Sequence, residues 1–248
     1  MSEESRRWGT VVAFAVAMAW LEAAVVAYLR MLIDRIEPYQ LDPLPVAAGL
    51  GQTELVREAA TLVMLLAVGW LAGRTWRSRL AYAAIAFGVW DLCYYLFLKV
   101  ITGWPGSLHD WDVLFLLPLP WWGPVLAPME IALLMVIGGT LVSQRDRDRR
   151  PFWPSRAAWV ASAGGAALAL RVFMADALRL LGAGSEAIRR SLPGAFSWPL
   201  FVLALGIMAV PVLQLGGWAV GRRGACRKQR FAADLAERSG HPQPGAGA

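Results

Sequence analysis

The chain predicts an all-α, polytopic integral membrane protein of six transmembrane helices, with a short interfacial or re-entrant helix between the third and fourth. Three observations carry that expectation. Of 248 residues 57% are hydrophobic, and the mean hydropathy is +0.47, more than a water-facing surface tolerates. The apolar runs are long enough for a bilayer core of roughly 30 Å, which takes about 20 helical residues to cross. The basic residues also gather in alternate loops, the signature of inserted helices.

The spans fall at approximately 8–33, 53–73, 79–102, 124–143, 157–181 and 196–221. Ala, Leu and Gly dominate these runs, so no strand pattern competes. The first run, from Trp8 to Ile33, is too long for a cleaved signal peptide and reads as a retained anchor. A loop containing Pro38, Pro43 and Pro45 follows. The second helix is expected to open at Thr53-Glu54, an N-cap followed by an acid that suits the positive helix end, and to close at Gly73-Arg74. The third is the most aromatic and runs to Thr102.

Between Gly103 and Gly123 the apolar piece Val113–Leu117 is too short to cross. Ser107 and Asp110 have capping-box-like spacing, so this piece is expected to be a short helix ended by Pro118 and Pro120. The fourth span follows Pro124. The Arg/Asp run at 145–150 is a solvated loop, and the fifth span carries Gly164, Gly165 and many Ala, a close-packing face. In the sixth, Pro211 suggests a kink and Gln214 a bond to a neighbouring helix. Residues 1–221 thus form a six-helix transmembrane domain, and 222–248 a basic, largely disordered cytoplasmic tail.

Six spans put both ends on one side. That side holds Arg6, Arg7, Arg74, Arg77, Arg79, the arginines of 145–156 and those of the tail, whereas the other keeps Arg30, Arg35, Lys99, Arg189 and Arg190. The positive-inside rule then places both termini in the cytoplasm of a cell inner (plasma) membrane. The net charge of +6 is accordingly a topology and lipid-headgroup signal, and no nucleic-acid partner is expected. Trp residues at both sets of helix ends form two aromatic belts. Cys93, inside a span, and Cys226, in the tail, lie apart and have no metal or redox spacing.

The informative residues are charges inside spans. At 1.5 Å per residue, Glu22, Glu58, Asp91, Glu130 and Arg171 each fall roughly 8–12 Å below the outer face. Five charges on five helices therefore share one stratum. Small residues accompany several of them: Ala15 and Ala19 with Glu22, Ala84 and Gly88 with Asp91, Gly164 and Ala167 with Arg171. Small residues beside a charge mark a helix–helix face, and a charge turned to lipid costs roughly 2.5–3.5 kcal/mol, so all are expected to point inward. The surplus of acid must be offset by protons, a cation, a cationic substrate group or water. Tyr94 and Tyr95 supply possible hydrogen-bond donors, and His109, Asp110 and Asp112 hang over the layer from the connection.

The two histidines, His109 and His241, exclude bis-His haem and His-rich desaturase clusters. Glu-x-x-His pairs are missing, as are a lysine away from the end of a span (Lys99 is in the last turn of the third), a Walker loop and Gly-x-Ser-x-Gly. No metal site is assigned, and the cofactor is unknown. Trp90-Asp91, followed after a loop by Pro128-Met129-Glu130, resembles the Trp-Asp and Pro-x-Glu-Glu elements of the small membrane-bound lycopene cyclase domains. The resemblance covers these two motifs; the second Glu is Ile131 here, and the aromatic pair that should follow is absent. It implies membrane carboxylates acting as acids on an apolar chain.

Three functions fit the layer. The first is an enzyme or binding protein for a lipid or isoprenoid, with Asp91 and Glu130 as acid and base, Glu22 and Glu58 tuning them, and Arg171 on an anionic group. The second is an accessory subunit whose acids meet other membrane subunits. The third is a proton- or cation-coupled transporter, ranked last because the inner half is almost purely apolar. Membrane lipids are partners in each.

Overall fold

The computed structural model describes residues 3–39, 50–115, 119–145, 153–184 and 193–217. In chain order these form α1 (Glu3–Leu32), α2 (Leu50–Ala72), α3 (Trp76–Thr102), β1 (Trp111–Phe115), β2 (Trp121–Pro124), α4 (Leu126–Arg145), α5 (Arg156–Phe173), α6 (Ala175–Arg179), a 3₁₀ turn at Leu181–Ala183 and α7 (Trp198–Gly217). Of these, α1, α2, α3, α4 and α7 are long and apolar enough to cross a membrane. The tail at 222–248 and residues 146–150 of the expected solvated loop 145–150 lie outside the described residues. Arg145 is instead the last residue of α4 and is buried, 6% exposed.

Helix α3 is the axis of the bundle, packed against α4, α1 and α2. Its start is set by Thr75, whose side chain accepts from the Ser78 N–H at 3.2 Å. The Ser78 hydroxyl accepts in turn from the Thr75 N–H at 2.9 Å, so two otherwise orphaned donors are satisfied. Its end is set by Gly103, whose φ of 80° is a left-handed conformation that only a residue without Cβ adopts freely.

Small residues bring its neighbours close. Ala15, Ala19, Ala23 and Ala27 recur every four residues along α1, all 0% exposed. They lie in clusters with Tyr82, Ile85, Ala86 and Trp90 at one level and Tyr95 and Leu98 at the next. On the other side of α3, a Cβ on Gly88 would collide with the Ala132 carbonyl of α4. One on Gly139 would stand 2.6 Å from the Ala81 carbonyl. Where lipid tails are as apolar as the side chains, such close approach is what holds helices together. The outward faces are apolar instead: Leu71 is 84% exposed, Leu32 73% and Val160 73%, a distribution suited to acyl chains rather than water.

Three expectations about elements need correction. Among the described residues no short helix lies between the third and fourth spans; β1 and β2 form an antiparallel hairpin instead, pairing Trp111 with Pro124, Asp112 with Gly123 and Val113 with Trp122. The aromatic and β-branched residues of Trp111–Phe115 favour a pleated ribbon. The Asp110 carboxylate, expected in a helix cap, closes a turn: it accepts from the backbone N–H groups of Gly106 at 2.8 Å and Ser107 at 3.0 Å.

The expected span 157–181 is divided, because α5 stops at Phe173 and a short helix follows. At 18 residues α5 rises about 27 Å, and Arg171, Asp176 and Arg179 crowd its far end. Finally, α2 begins at Leu50, so Thr53 lies within the first turn rather than capping it. Gln214 does bond a neighbour, accepting from the Ser155 N–H at 3.1 Å just before α5.

Candidate functional site

The acids of α1 and α2 meet across one arginine. Glu22 projects from the Ala stripe of α1 and is 9% exposed. Arg57 of α2 donates to it, and also to Glu54 one turn away, with Nε at 2.9 Å from Glu54 Oε2. The Thr61 hydroxyl donates to the second Glu22 oxygen at 3.3 Å. Glu58, 8% exposed, lies within electrostatic range of both Glu54 and Arg57. Positions 54, 57, 58 and 61 share one face of α2 because they are three or four residues apart.

A second arginine ties the hairpin down. Arg30, near the end of α1, donates to Asp112 of β1 at 2.9 Å and to the Ile36 carbonyl at 3.1 Å. Its guanidinium also lies 4.3 Å from the centre of the Trp104 ring, a cation–π contact. Asp112 is 2% exposed. It accepts further from the Val113 N–H at 2.9 Å and from Tyr95. Burial pushes its carboxyl above the usual Asp range, against the pull of Arg30 and of these hydrogen bonds.

Asp91 and Tyr94 connect the two arginine centres. Tyr94 lies within electrostatic range of Arg30, Asp112, Arg57 and Asp91, and Asp91 within range of Asp112. Asp91 is 7% exposed, and its Oδ2 has no hydrogen-bond partner among the described residues. The same holds for Glu130 Oε2 on α4 and for the indole N–H groups of Trp90 and Trp121. Trp90 and Trp121 belong to one run of packed rings. Trp90 lies 5.4 Å from Phe87 and 6.1 Å from Tyr94, Phe87 lies 6.4 Å from Phe115, and Phe115 lies 5.3 Å from Trp121. An unmet buried donor or acceptor costs about 1–3 kcal/mol, so each of the four is a deficit in its own right.

The layer expected from the sequence is therefore assembled in part. Glu22, Glu58, Asp91, Tyr94, Tyr95 and Asp112 come together. Glu130 is half-buried on the helix beside α3, with its own unmet oxygen. Arg171 does not face inward: α5 buries Gly165, Ala169 and Val172 and leaves Gly164, Ala167 and Arg171 exposed. His109 is exposed as well, against Trp198 at 5.9 Å. The cationic partners are Arg57 and Arg30, which the sequence reading left outside the site. Their signal was present: Glu54 and Arg57 are three residues apart, and Arg30 lies two helical turns beyond Glu22 on α1.

The acids Glu22, Glu54, Glu58, Asp91 and Asp112 outnumber Arg30 and Arg57, even with the buried Arg35 beside Arg30 added. Among the described residues no group of three or more His, Cys, Asp or Glu is placed to hold a metal ion. No protein-family model matches the chain, and no curated protein or solved structure is significantly similar to it.

Proposed function

We propose that this chain is a multi-pass inner-membrane protein, both termini cytoplasmic, that binds and acts on a lipid or isoprenoid through the carboxyl layer. One observation carries the reading: Asp91 Oδ2 and Glu130 Oε2, on adjacent helices, are buried without partners among the described residues, as are the indole N–H groups of Trp90 and Trp121. Two acceptors and two donors among aromatic rings suit a molecule with an apolar chain and one or two polar groups, such as a hydroxyl. The ring-lined surroundings accept the chain, and the orphan atoms orient the polar group. Asp91 and Glu130 are the acid–base pair, able to give and take a proton at a bound substrate. Glu22 and Glu58, held by the Arg57 centre, set the charge beside them, and Arg30 with Asp112 fixes the hairpin over them.

The test is a comparison of copurifying lipids. Native chain, Asp91→Asn and Glu130→Gln are purified in detergent, and their organic extracts are compared by mass spectrometry. The expected result is a lipid enriched with the native chain and reduced at least about tenfold in either variant, the effect of losing about 1.4 kcal/mol of binding. Equal lipid content in three well-folded proteins would refute the site.

A further inference from the structure

At the opposite end of the bundle, α1 starts beside the tight connection from α2 to α3. A cavity of about 240 Å³ opens there, lined by Glu3, Glu4, Arg7, Ala72, Arg74, Ser78 and Tyr82. Its chemistry differs from that of the carboxyl layer. Arg7 comes from α1 and Arg74 from the connection between α2 and α3, yet their guanidiniums converge on a single atom, Glu3 Oε1, at 2.9 and 2.6 Å. The second Arg7 nitrogen is fixed by the Ala72 carbonyl at 3.0 Å, and the Tyr82 hydroxyl on the cavity wall donates to Glu4 at 3.3 Å.

We propose that this cavity is a binding site for the phosphate of an anionic phospholipid, and that Glu3 occupies the anion position when no lipid is there. Two guanidiniums aimed at one oxygen form a fork suited to a phosphate diester, which offers two such oxygens where the carboxylate offers one to both. The Glu3 hold is weak enough to exchange: the Arg74 and Glu3 side chains are 67% and 55% exposed, and pairs that open to water contribute only about 0–1 kcal/mol. The cavity is too small for a whole amphiphile and large enough for a headgroup. Its position supplies the rest of the lipid. Trp70 and Trp76, 60% and 63% exposed, stand at the same helix ends, as interfacial tryptophans do. Arg79 lies 4.1 Å over the Trp70 ring and Arg77 5.3 Å over that of Trp76. A pocket between helix ends where two guanidiniums converge, flanked by tryptophans, matches the chemistry of anionic-lipid sites once Glu3 yields its place.

Native mass spectrometry of the full chain in detergent tests this, with phosphatidylglycerol and phosphatidylcholine of the same acyl chains added in equal amounts. The native chain should retain phosphatidylglycerol in preference, and Arg7→Ala or Arg74→Ala should reduce that preference at least about tenfold, the effect of one charge-assisted hydrogen bond. Glu3→Gln should increase it, because the internal competitor has lost its charge. Arg7→Lys and Arg74→Lys keep the charge and the fold but lose the fork, so their preference should lie between native and Ala. An unchanged preference in both Ala variants, or a weaker one in Glu3→Gln, would overturn the site. Displacement by inorganic phosphate alone would overturn the lipid as its occupant.

Discussion

Two parts of this bundle handle buried acid in opposite ways. Between α1 and α2 every acid is near a cation: Arg57 spans Glu22 and Glu54, and Glu58 lies close to it. On α3 and α4, Asp91 and Glu130 each keep a buried oxygen without a partner among the described residues. The first arrangement is what a structural ion pair requires, since a buried charge is tolerated only when compensated. The second lowers stability and persists only where something other than stability selects it. The contrast teaches that carboxylates at one depth need not do one job.

The largest test of the contrast is Arg57→Ala. It strands Glu22 and Glu54 together, and a loss on the order of 3 kcal/mol is expected, the lower end of the range for breaking a buried pair because the Arg57 side chain is 21% exposed. Thermal unfolding in detergent reads it; a change within about 0.5 kcal/mol, the size of an ordinary surface substitution, would show that the pair is not structural.

Next comes Gly88→Ala, which should cost about 1–3 kcal/mol because α3 and α4 must separate to admit a methyl group. The same melt measures it, and an unperturbed protein would mean that the two helices are not held that closely.

The hairpin gives a pH effect. Folding raises the Asp112 pKa, so the folded state binds this proton more tightly than the unfolded chain does. Its contribution is then fully present below the ordinary Asp value of about 4 and is lost as pH rises through the higher folded value. Arg30 opposes the rise. Arg30→Ala should therefore steepen the loss of stability as pH rises above the ordinary Asp value of about 4, whereas Asp112→Asn should remove this component. Melts across a pH series starting at about 4 decide, and equal slopes in all three proteins would contradict the assignment.

Smallest is Asp91→Asn. Since Oδ2 has no partner to lose, stability should change by less than about 1 kcal/mol, while bound lipid falls as described above. A collapse of the fold would move Asp91 into the structural class of Glu22.

How much of this was readable beforehand follows from which forces act along the chain and which act across it. Hydropathy is a sum over consecutive residues, so the ends of α1, α3, α4 and α7 lie within a few residues of those expected. The hairpin was hidden because Ser107 and Asp110 suit a helix cap and a turn equally well, and the Trp111–Phe115 ribbon decided between them. That Glu22 and Asp91 fall inside long apolar helices could be read from the sequence. The direction of Arg171 could not: Gly164 and Gly165 are adjacent, about 100° apart around α5, and only packing shows that Gly165 is the buried one. The reach of Arg57 to Glu22 was not legible either, because it depends on how α1 and α2 lie together.

Arg30 closes the loop between the chain's first helix and a segment eighty-two positions later. Helices are made in order, so the guanidinium is already in place when Trp111–Pro124 leaves the ribosome, and the ribbon docks onto a waiting clamp. Remove α1, and the later elements could still insert, but Asp112 would arrive to find neither Arg30 nor the Arg30–Trp104 stack. Split-chain expression, α1 supplied separately from the remainder, would expose that dependence directly.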